Sequence, residues 1–404
     1  MNEATKKFII AHRFDDVQKL ALQSQSFAEI DIPAALTQIS GRQIIEHKIP
    51  SWYPSDEIRY PGRLPLEQCS SEKTARYKAS LLSGDSFVDL TGGLGVDTAF
   101  ISPNFSRVTY VEKQAELAKL AKHNFSVLEL NSIQIESGDG TEFLEQMDPV
   151  DCIYLDPARR SLSGKKTVLI EDCEPNLLEI QDLLLKKAGT VLIKLSPLLD
   201  INAALRVLKN VREVHVVSVE NECKELLFLL KKGDTPAPLI TCVNLRKKED
   251  QTLSFEYPEE KKAQMAYTPE IKDFLYEPNA SLLKAGFYKG LALRYKVEKL
   301  HPDSHLYTST HCVPDFPGRI FRVEAVSSLN KKDLKAFLTG LDKANLTIRN
   351  FPLTVADLRK KLKLKEGGDV YLFGTTLSNG VHVLVKTYPI YGIFETLPKK
   401  NAAS

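Results

Sequence analysis

Residues 87–97, FVDLTGGLGVD, constrain this chain more than any other stretch. An apolar strand runs into Asp89 and then into a loop carrying Gly92, Gly93 and Gly95, with an apolar-periodic helix starting near Val96. Such a turn leaves bare backbone that can approach a nucleotide-like ligand at the carboxyl end of a parallel strand. Many strand-to-helix turns hold glycines for packing alone, so the weight falls on residues spaced at fixed intervals further along the chain.

Downstream of the loop, strand and helix patterns alternate, as in a parallel, helix-covered sheet. Strands are expected at 86–90, 107–111, 133–137, 151–155 and 190–195, with helices between them, notably at 114–127 and 173–187. The series closes differently, because 213–219, turn residues 220–223, and 224–231 read as two adjacent strands in a hairpin. Ahead of the sheet, residues 1–75 read as helices, with Asp31 as an N-cap, Pro33 just inside, and Asp15 or Asp16 capping an earlier segment that ends near Leu22. Ser70 or Ser71 caps a helix over 73–82.

Beyond the hairpin, residues 234–238 form a candidate boundary, and 241–245 and 252–257 add edge strands. A third region starts near Pro278 with helices at 280–283 and 288–291. Strands at 319–324 and 344–350, helices at 331–341 and 354–362, and final strands at 369–375 and 380–386 suit a small α+β module.

Three carboxylates end the strands after the glycine loop. Glu112 closes the second strand in VTYVEKQ, where a carboxylate can accept hydrogen bonds from both ribose hydroxyls of a nucleoside. Asp139 follows the third in ESGDGTEF and can accept from an adenine amino group. Asp156 follows the fourth in YLDPARR, where Pro157 stiffens the chain and holds the next carbonyls toward the crevice. An amine losing a proton as it attacks a methyl sulfonium benefits from acceptors fixed beforehand, and this route needs no metal.

Whole-chain charge decides little, since a net +2 over 404 residues leaves any anionic partner to a local basic patch. Arg359, Lys360, Lys361, Lys363 and Lys365 form such a run, with Arg349 and Lys386 on neighbouring expected strands. Arg160, Lys165 and Lys166 stand beside Asp156 in a loop with Ser161, Ser163 and Gly164, expected to be mobile until substrate binds. The six cysteines have no CxxC pair or zinc spacing and read as reduced, mostly buried thiols. With no signal-peptide pattern and no apolar run of about 20 residues, the chain is expected to be soluble and cytoplasmic, without a membrane partner.

FVDLTGGLGVD, YVEKQ, SGDGTEF and LDPARR resemble motifs I to IV of class I S-adenosylmethionine methyltransferases, and LEQCSSEKTARYK resembles the segment that covers the cofactor in nucleic-acid members. The whole chain further resembles a bacterial family of such enzymes with a ferredoxin-like insert and a THUMP-like C-terminal domain, on EQCSSEKTARYKASLL and NLTIRNFPLTVADLRKKLKLKEGGDVYLFGTTL. The resemblance implies an α/β fold: a Rossmann-like class I methyltransferase sheet ending in an antiparallel hairpin, with an N-terminal helical subdomain and a C-terminal α+β THUMP-like, RNA-binding module. Its divisions fall at 1–75 for the helical subdomain, 76–235 for the methyltransferase domain, 236–322 for edge strands and a ferredoxin-like region, and 323–398 for the THUMP-like module.

S-adenosylmethionine is then the implied cofactor. Asp89, Gly92, Gly93 and Gly95 would hold its methionine part, Glu112 its ribose and Asp139 its adenine, with Thr91, Asp97, Lys113, Gly140 and Asp156 completing the set. Asp156, Pro157, Ala158 and Arg159 would face the target. Arg159, Arg160, Lys165 and Lys194 near the site, and Arg359, Lys360 and Lys361 in the basic run, would contact transfer or ribosomal RNA. One departure stands out: N-methylating relatives carry an aromatic residue where Arg159 stands, although a guanidinium also stacks on a base.

Asp-Pro-Ala-Arg also resembles the motif of RNA uracil-C5 methyltransferases, which attack through a cysteine at the end of the next strand. Here VLIKLSPLLD carries Lys194 and Ser196 there, with no cysteine nearby, and an unactivated ring carbon needs a nucleophile. An exocyclic nitrogen, guanine N2 foremost, is therefore the expected acceptor. Three alternatives remain: a nicotinamide-dependent oxidoreductase, disfavoured because residues 93–98 lack a third glycine; a non-catalytic RNA-binding or ribosome-assembly protein; and a methyltransferase acting on DNA, protein or a small molecule.

Overall fold

A computed structural model describes residues 1–22, 29–159, 170–233 and 236–390. The chain divides into two compact units, Met1–Val219 with Lys224–Leu239, and Glu220–Cys223 with Ile240–Ser404.

The first unit opens with helices α1 (Glu3–Ala11), α2 (Val17–Leu22) and α3 (Ile32–Lys48), whose shared core is built on Phe8, Leu20, Ile32, Ala35 and Ile39. Asp31 caps α3 by accepting from the Ala34 amide at 3.1 Å, with Pro33 in the first turn, and Asp16 accepts from the Gln18 and Lys19 amides at the start of α2. Helices α4 (Arg63–Gln68) and α5 (Glu72–Ala79) follow, the latter capped by Ser71.

Strands β1 (Ser86–Asp89), β2 (Arg107–Glu112), β3 (Ile133–Ser137), β4 (Val150–Leu155) and β7 (Ala188–Leu195) are parallel. Every residue of β1 is buried, as helices on both faces of a parallel sheet require. Those helices are α6 (Val96–Ile101), α7 (Ala115–Val127), α8 (Gly140–Gln146), α9 (Leu177–Lys187) and α10 (Ile201–Val207). Short strands β5 (Ala158–Arg159) and β6 (Cys173–Glu174) pair antiparallel after β4.

The hairpin is formed by β8 (Val211–Val219) and β9 (Glu222–Lys231), and β9 runs antiparallel to β7. Its turn residues, Glu220 and Asn221, both have left-handed φ, 48° and 67°, the geometry that two-residue hairpin loops favour. Within this unit the strand order is β3-β2-β1-β4-β7-β9-β8.

One expected element moves. The helix read over 173–187 begins at Leu177, because Pro175 holds Glu174 in extended backbone and Asn176 caps the helix through the Leu178 amide at 3.1 Å.

The second unit contains β10 (Leu239–Leu245), β11 (Gln251–Glu256), α11 (Glu259–Lys262), β12 (Phe274–Pro278), α12 (Ala280–Ala285), α13 (Lys289–Tyr295), β13 (Glu298–Lys299) and β14 (Tyr307–Ser309). It continues with β15 (Gly318–Ser327), α14 (Lys331–Phe337), β16 (Asn345–Arg349), α15 (Val355–Leu362), β17 (Tyr371–Thr376) and β18 (His382–Pro389). The expected strand, helix, strand, helix, strand, strand series is thus present from β15 to β18. Its sheet is larger than the sequence pattern implies, since β12, β13 and β14 extend it to seven strands in the order β13-β14-β12-β15-β18-β17-β16.

Candidate active site

The glycine loop is pressed against its neighbours. Leu90 donates its amide to the Tyr154 carbonyl at 3.0 Å and Gly92 to the Val111 carbonyl at 2.8 Å, fastening the loop to the strands on either side of β1. A Cβ on Gly92 would lie 2.1 Å from the Tyr110 ring, and Gly95 has φ +79°. Glycine is required at the first position by close approach and at the second by backbone geometry. The Tyr110 hydroxyl donates to the Gly93 carbonyl at 2.5 Å.

A cavity of about 1620 Å³ opens above this loop, lined from the ends of β1, β2, β3, β4 and β7. The expected donor-binding residues Asp89, Thr91, Gly92, Gly93, Gly95 and Asp97 all line it, as do Glu112, Lys113, Asp139 and Gly140. From the expected reaction side come Asp156, Pro157, Ala158 and Lys194. Arg159 is described only in its backbone, within β5, and Arg160 and Lys165 lie outside the described residues, with the rest of the loop expected to be mobile.

Hydrogen bonds set each carboxylate differently. Glu112 accepts from the Gly93 amide through Oε2 and from the Gln114 amide through Oε1, both at 2.7 Å. Asp139 caps α8 by accepting from the Thr141 amide at 2.8 Å, and its other oxygen lies 3.2 Å from Lys113 Nζ. Burial works against ionisation of Asp139, but that amide and Lys113 outweigh it, so the carboxyl titrates below its ordinary value. The Asp156 amide donates to Thr91 Oγ1 at 2.6 Å, tying the glycine loop to the fourth strand end, while the Asp156 carboxylate is ion-paired with Lys194.

Asp89 sits on the cavity floor, 1% exposed, accepting from the Thr91 amide at 2.9 Å and the Thr98 hydroxyl at 2.5 Å. Burial pushes its pKa up to about 7, helped by the nearby Asp97 and Asp156 carboxylates and opposed by those two donors.

A buried charge network underlies the cavity, centred on a lysine that pattern reading missed. Lys78 of α5 is fully buried and donates to both carboxylate oxygens of Glu225 on β9, at 2.8 and 2.9 Å, and to Ser70 Oγ at 3.0 Å. Asp97 Oδ1 lies 3.2 Å away, and Asp97 Oδ2 accepts from Ser70 and from the Tyr154 hydroxyl, both at 2.8 Å. Burial resists charge on Asp97, yet Lys78 and Lys194 prevail and lower its pKa. Ser70, Ser71 and Thr74 line the cavity, so this network holds the start of α5 as one cavity wall. Thr74 and Lys78 stand four apart on one face of α5, and both are buried.

Two thiols reach the cavity although no cysteine was expected near the reaction side. Cys69 lines it from the end of α4 and Cys173 from β6. Burial pushes the Cys69 thiol up, the opposite of activation as a nucleophile. Among the described residues, no cysteine is joined in a disulfide. Among the described residues, no group of three or more His, Cys, Asp or Glu side chains is arranged to hold a metal, and no helix is long and apolar enough to cross a membrane.

The basic run lies in the second unit. Lys360, Lys361, Lys363 and Lys365 are exposed. Arg359 is half-buried and donates to the Ala344 carbonyl at 3.2 Å, securing α15 to the chain entering β16. Arg349 and Lys386 are separated by β17; Arg349 pairs with Glu277 at 2.6 Å and Lys386 lies 3.9 Å from Glu324.

Three family descriptions match parts of the chain: a ferredoxin-like domain over residues 274–317, a THUMP domain-like family over 318–387, and protein-L-isoaspartate(D-aspartate) O-methyltransferase over 72–164. A crystal structure from Porphyromonas gingivalis W83, assigned as a methyltransferase, is 33% identical, covers 96% of this chain and 98% of its own, and superposes with a TM-score of 0.86. A protein of Sulfurisphaera tokodaii named as a cobalt-precorrin-6B C(15)-methyltransferase (decarboxylating) is 26% identical over 38% of this chain and 76% of its own length. A protein-L-isoaspartate O-methyltransferase of Koribacter versatilis is 28% identical over 27% of this chain, which spans about half (51%) of that relative.

Proposed function

The chain belongs to the bacterial class I methyltransferase family in which a ferredoxin-like and a THUMP-like domain follow the catalytic sheet, and from that premise we propose that it transfers a methyl group from S-adenosylmethionine to a base nitrogen of transfer or ribosomal RNA, guanine N2 being favoured. The observation that carries this reading is the setting of Asp156: its carboxylate is paired with Lys194 and its amide bonded to the glycine loop, in the same cavity as Glu112 and Asp139.

The residues present fit the donor. Each Glu112 oxygen has accepted one amide and keeps a lone pair for a ribose hydroxyl, and at Gly93, which lines the cavity, a Cβ would meet no protein atom closer than 3.8 Å, so the loop backbone lies open there. Asp139 keeps capacity for an adenine amino group. Once bound, S-adenosylmethionine supplies an electrophilic methyl group; the chain's own residues hold and orient the acceptor. The Asp156 carboxylate and the Pro157 carbonyl accept the acceptor's N–H bonds, aiming its lone pair. Burial opposes the charge on Lys194, but Asp156, Asp97 and Glu225 outweigh it and keep the ammonium protonated. A carboxylate acceptor beside an ammonium donor matches the guanine edge, where amino and ring N–H groups neighbour a carbonyl.

RNA as the substrate is supported by the THUMP domain-like match and by the exposed lysines around the end of α15. The match to protein-L-isoaspartate O-methyltransferase covers residues 72–164, which contain the donor-side carboxylates and Asp156, and makes a protein acceptor the alternative that the experiment below must separate from RNA. We take residues 1–75 as a helical subdomain, 76–235 as the catalytic domain, 236–322 as edge strands with the ferredoxin-like region, and 323–398 as the RNA-binding module.

The test is nucleoside mass spectrometry of RNA from cells lacking the gene, followed by methylation of that RNA with purified protein. Loss of one methylguanosine, restored by the enzyme, is expected. An unchanged RNA profile would overturn the RNA reading in favour of DNA, protein or a small molecule, and failure to bind S-adenosylmethionine would overturn the catalytic one.

A further inference from the structure

The cavity extends past the groups that the donor reading uses. Ligand pockets commonly measure about 300–1,000 Å³, and this one, at about 1620 Å³, has room for an acceptor beside the donor. In the strand order β1, β2 and β3 lie to one side of β4, toward Glu112 and Asp139, while β7 and β9 lie to the other. Lys194 near the end of β7 and Lys224 near the start of β9 line the cavity on that second side. A helix ahead of the sheet reaches the same place, since Lys48, the last residue of α3, also lines the cavity.

Lys48 is held in place. Its ammonium donates to the Leu66 and Glu67 carbonyls at the end of α4, at 2.7 and 2.6 Å, satisfying acceptors that a helix end leaves over. The Cys69 sulfur, a weak acceptor, stands beside it. Both carbonyls are neutral, so these partners do not cancel the charge. The carboxylates nearby are already engaged: Glu67 with Arg63, Glu225 with Lys78, and Asp156 with Lys194. Burial is the main cause lowering the Lys48 pKa; Lys194 and Lys224 push the same way, against Cys69 and Glu67. Capping α4 explains where this side chain lies. It does not explain why three lysines from three separate elements line one end of a cavity.

We propose that Lys48 and Lys224 form an anion subsite on the acceptor side, which takes a phosphodiester of the RNA strand next to the methylated base and makes the N-terminal helices part of substrate recognition. The inference rests on the RNA reading above. A nucleotide whose base reaches Asp156 brings a charged phosphate on either side of its sugar, and an ammonium binds phosphate as a point charge. With two of its three N–H bonds on carbonyls, Lys48 keeps one for a phosphate oxygen. Both lysines hold the strand and take no part in bond making.

Steady-state methylation by the full chain, with RNA from cells lacking the gene as substrate, tests this. Lys48→Met should raise KM for RNA about tenfold, leave kcat nearly unchanged, and lower the salt slope of log KM by about 0.7–0.9. Lys48→Arg restores the charge and should recover most of the loss, which separates phosphate binding from helix capping. Lys224 is exposed, so Lys224→Gln provides a second test if Lys48→Met folds poorly, with KM raised by up to about fivefold. Calorimetry should find S-adenosylmethionine affinity unchanged in both variants. Unaltered KM and salt slope in both, or a loss of S-adenosylmethionine affinity in Lys48→Met, would overturn the proposal while leaving the RNA reading intact. Methylation of protein carboxylates and of no RNA by the unsubstituted chain would overturn both.

Discussion

Replacing Lys78 with methionine tests the buried network most directly. The substitution nearly conserves length but removes an ammonium that is fully buried and bonded to both oxygens of Glu225 and to Ser70, with Asp97 3.2 Å away. Breaking a buried pair from one side leaves an uncompensated charge and typically costs about 3–5 kcal/mol. For a unit of this size each kcal/mol shifts the unfolding midpoint by about 2–4 °C, so Lys78→Met should lower it by roughly 6–20 °C. The assay is specific to the first unit because the chain's one tryptophan, Trp52, is buried there. Its fluorescence therefore follows that unit even if the two units unfold separately. The double variant Lys78→Met/Glu225→Met removes both main charges and should be more stable than Lys78→Met alone, with a coupling of about 0.5–3 kcal/mol. A loss below about 1 kcal/mol in the single variant, or strictly additive losses in the double, would refute the reasoning.

Asp156→Asn should cut methyl transfer by about 10²–10³-fold while leaving S-adenosylmethionine affinity nearly unchanged, and equal loss of both in parallel kinetics and calorimetry would mean that Asp156 serves the donor instead. Gly92→Ala should destabilise the first unit by about 1–3 kcal/mol, because the added methyl group falls 2.1 Å from the Tyr110 ring; a neutral melting curve would contradict that close approach. With its pKa raised to about 7 from an ordinary 3.8, Asp89 contributes stability that is complete below pH 3.8 and lost as pH rises through 7. Urea titrations at pH 5 and 8 should record that decline, flattened in Asp89→Asn. Replacing Lys360, Lys361, Lys363 and Lys365 with glutamine should weaken RNA binding and reduce its salt slope by about 0.7–0.9 for each phosphate no longer neutralised, and an unaltered slope would remove these lysines from the interface.

The catalytic sheet was legible because β1, β4 and β7 are largely apolar runs, as strands covered on both faces must be, and the edge strand β3 instead shows its single buried residue, Ile133, followed by polar ones. The carboxylates at 89, 112 and 156 could be read because each stands where an apolar run stops, whereas Asp139 was found from the Gly138 and Gly140 that flank it. Lys78 was not legible as buried, because a lysine on an amphipathic helix ordinarily points to solvent. Its partner Glu225 lies more than a hundred residues away on an antiparallel strand, and local periodicity carries no information about such a pairing. The start of α9 was misread because Cys173 and Glu174 join an apolar helix pattern whose true beginning is set by Pro175 and Asn176. Strands β12, β13 and β14 escaped because they are short and gain their hydrogen bonds from partners distant in sequence. Arg359 looked like one member of a charged face, and only the position of the Ala344 carbonyl distinguishes it from the lysines beside it.

The pairing of β12 with β15 joins what two family descriptions divide. Their common border falls between residues 317 and 318, yet Pro278 pairs with Gly318 and Phe274 with Arg322 across it. One apolar core combines Leu275, Leu300 and Leu306 from one side of that border with Phe321, Phe373 and Val385 from the other. Cutting there would bare a long run of unsatisfied amide and carbonyl groups on each fragment, the kind of edge along which proteins aggregate. The ferredoxin-like and THUMP-like segments therefore fold as one piece, and neither is expected to be soluble when expressed without the other.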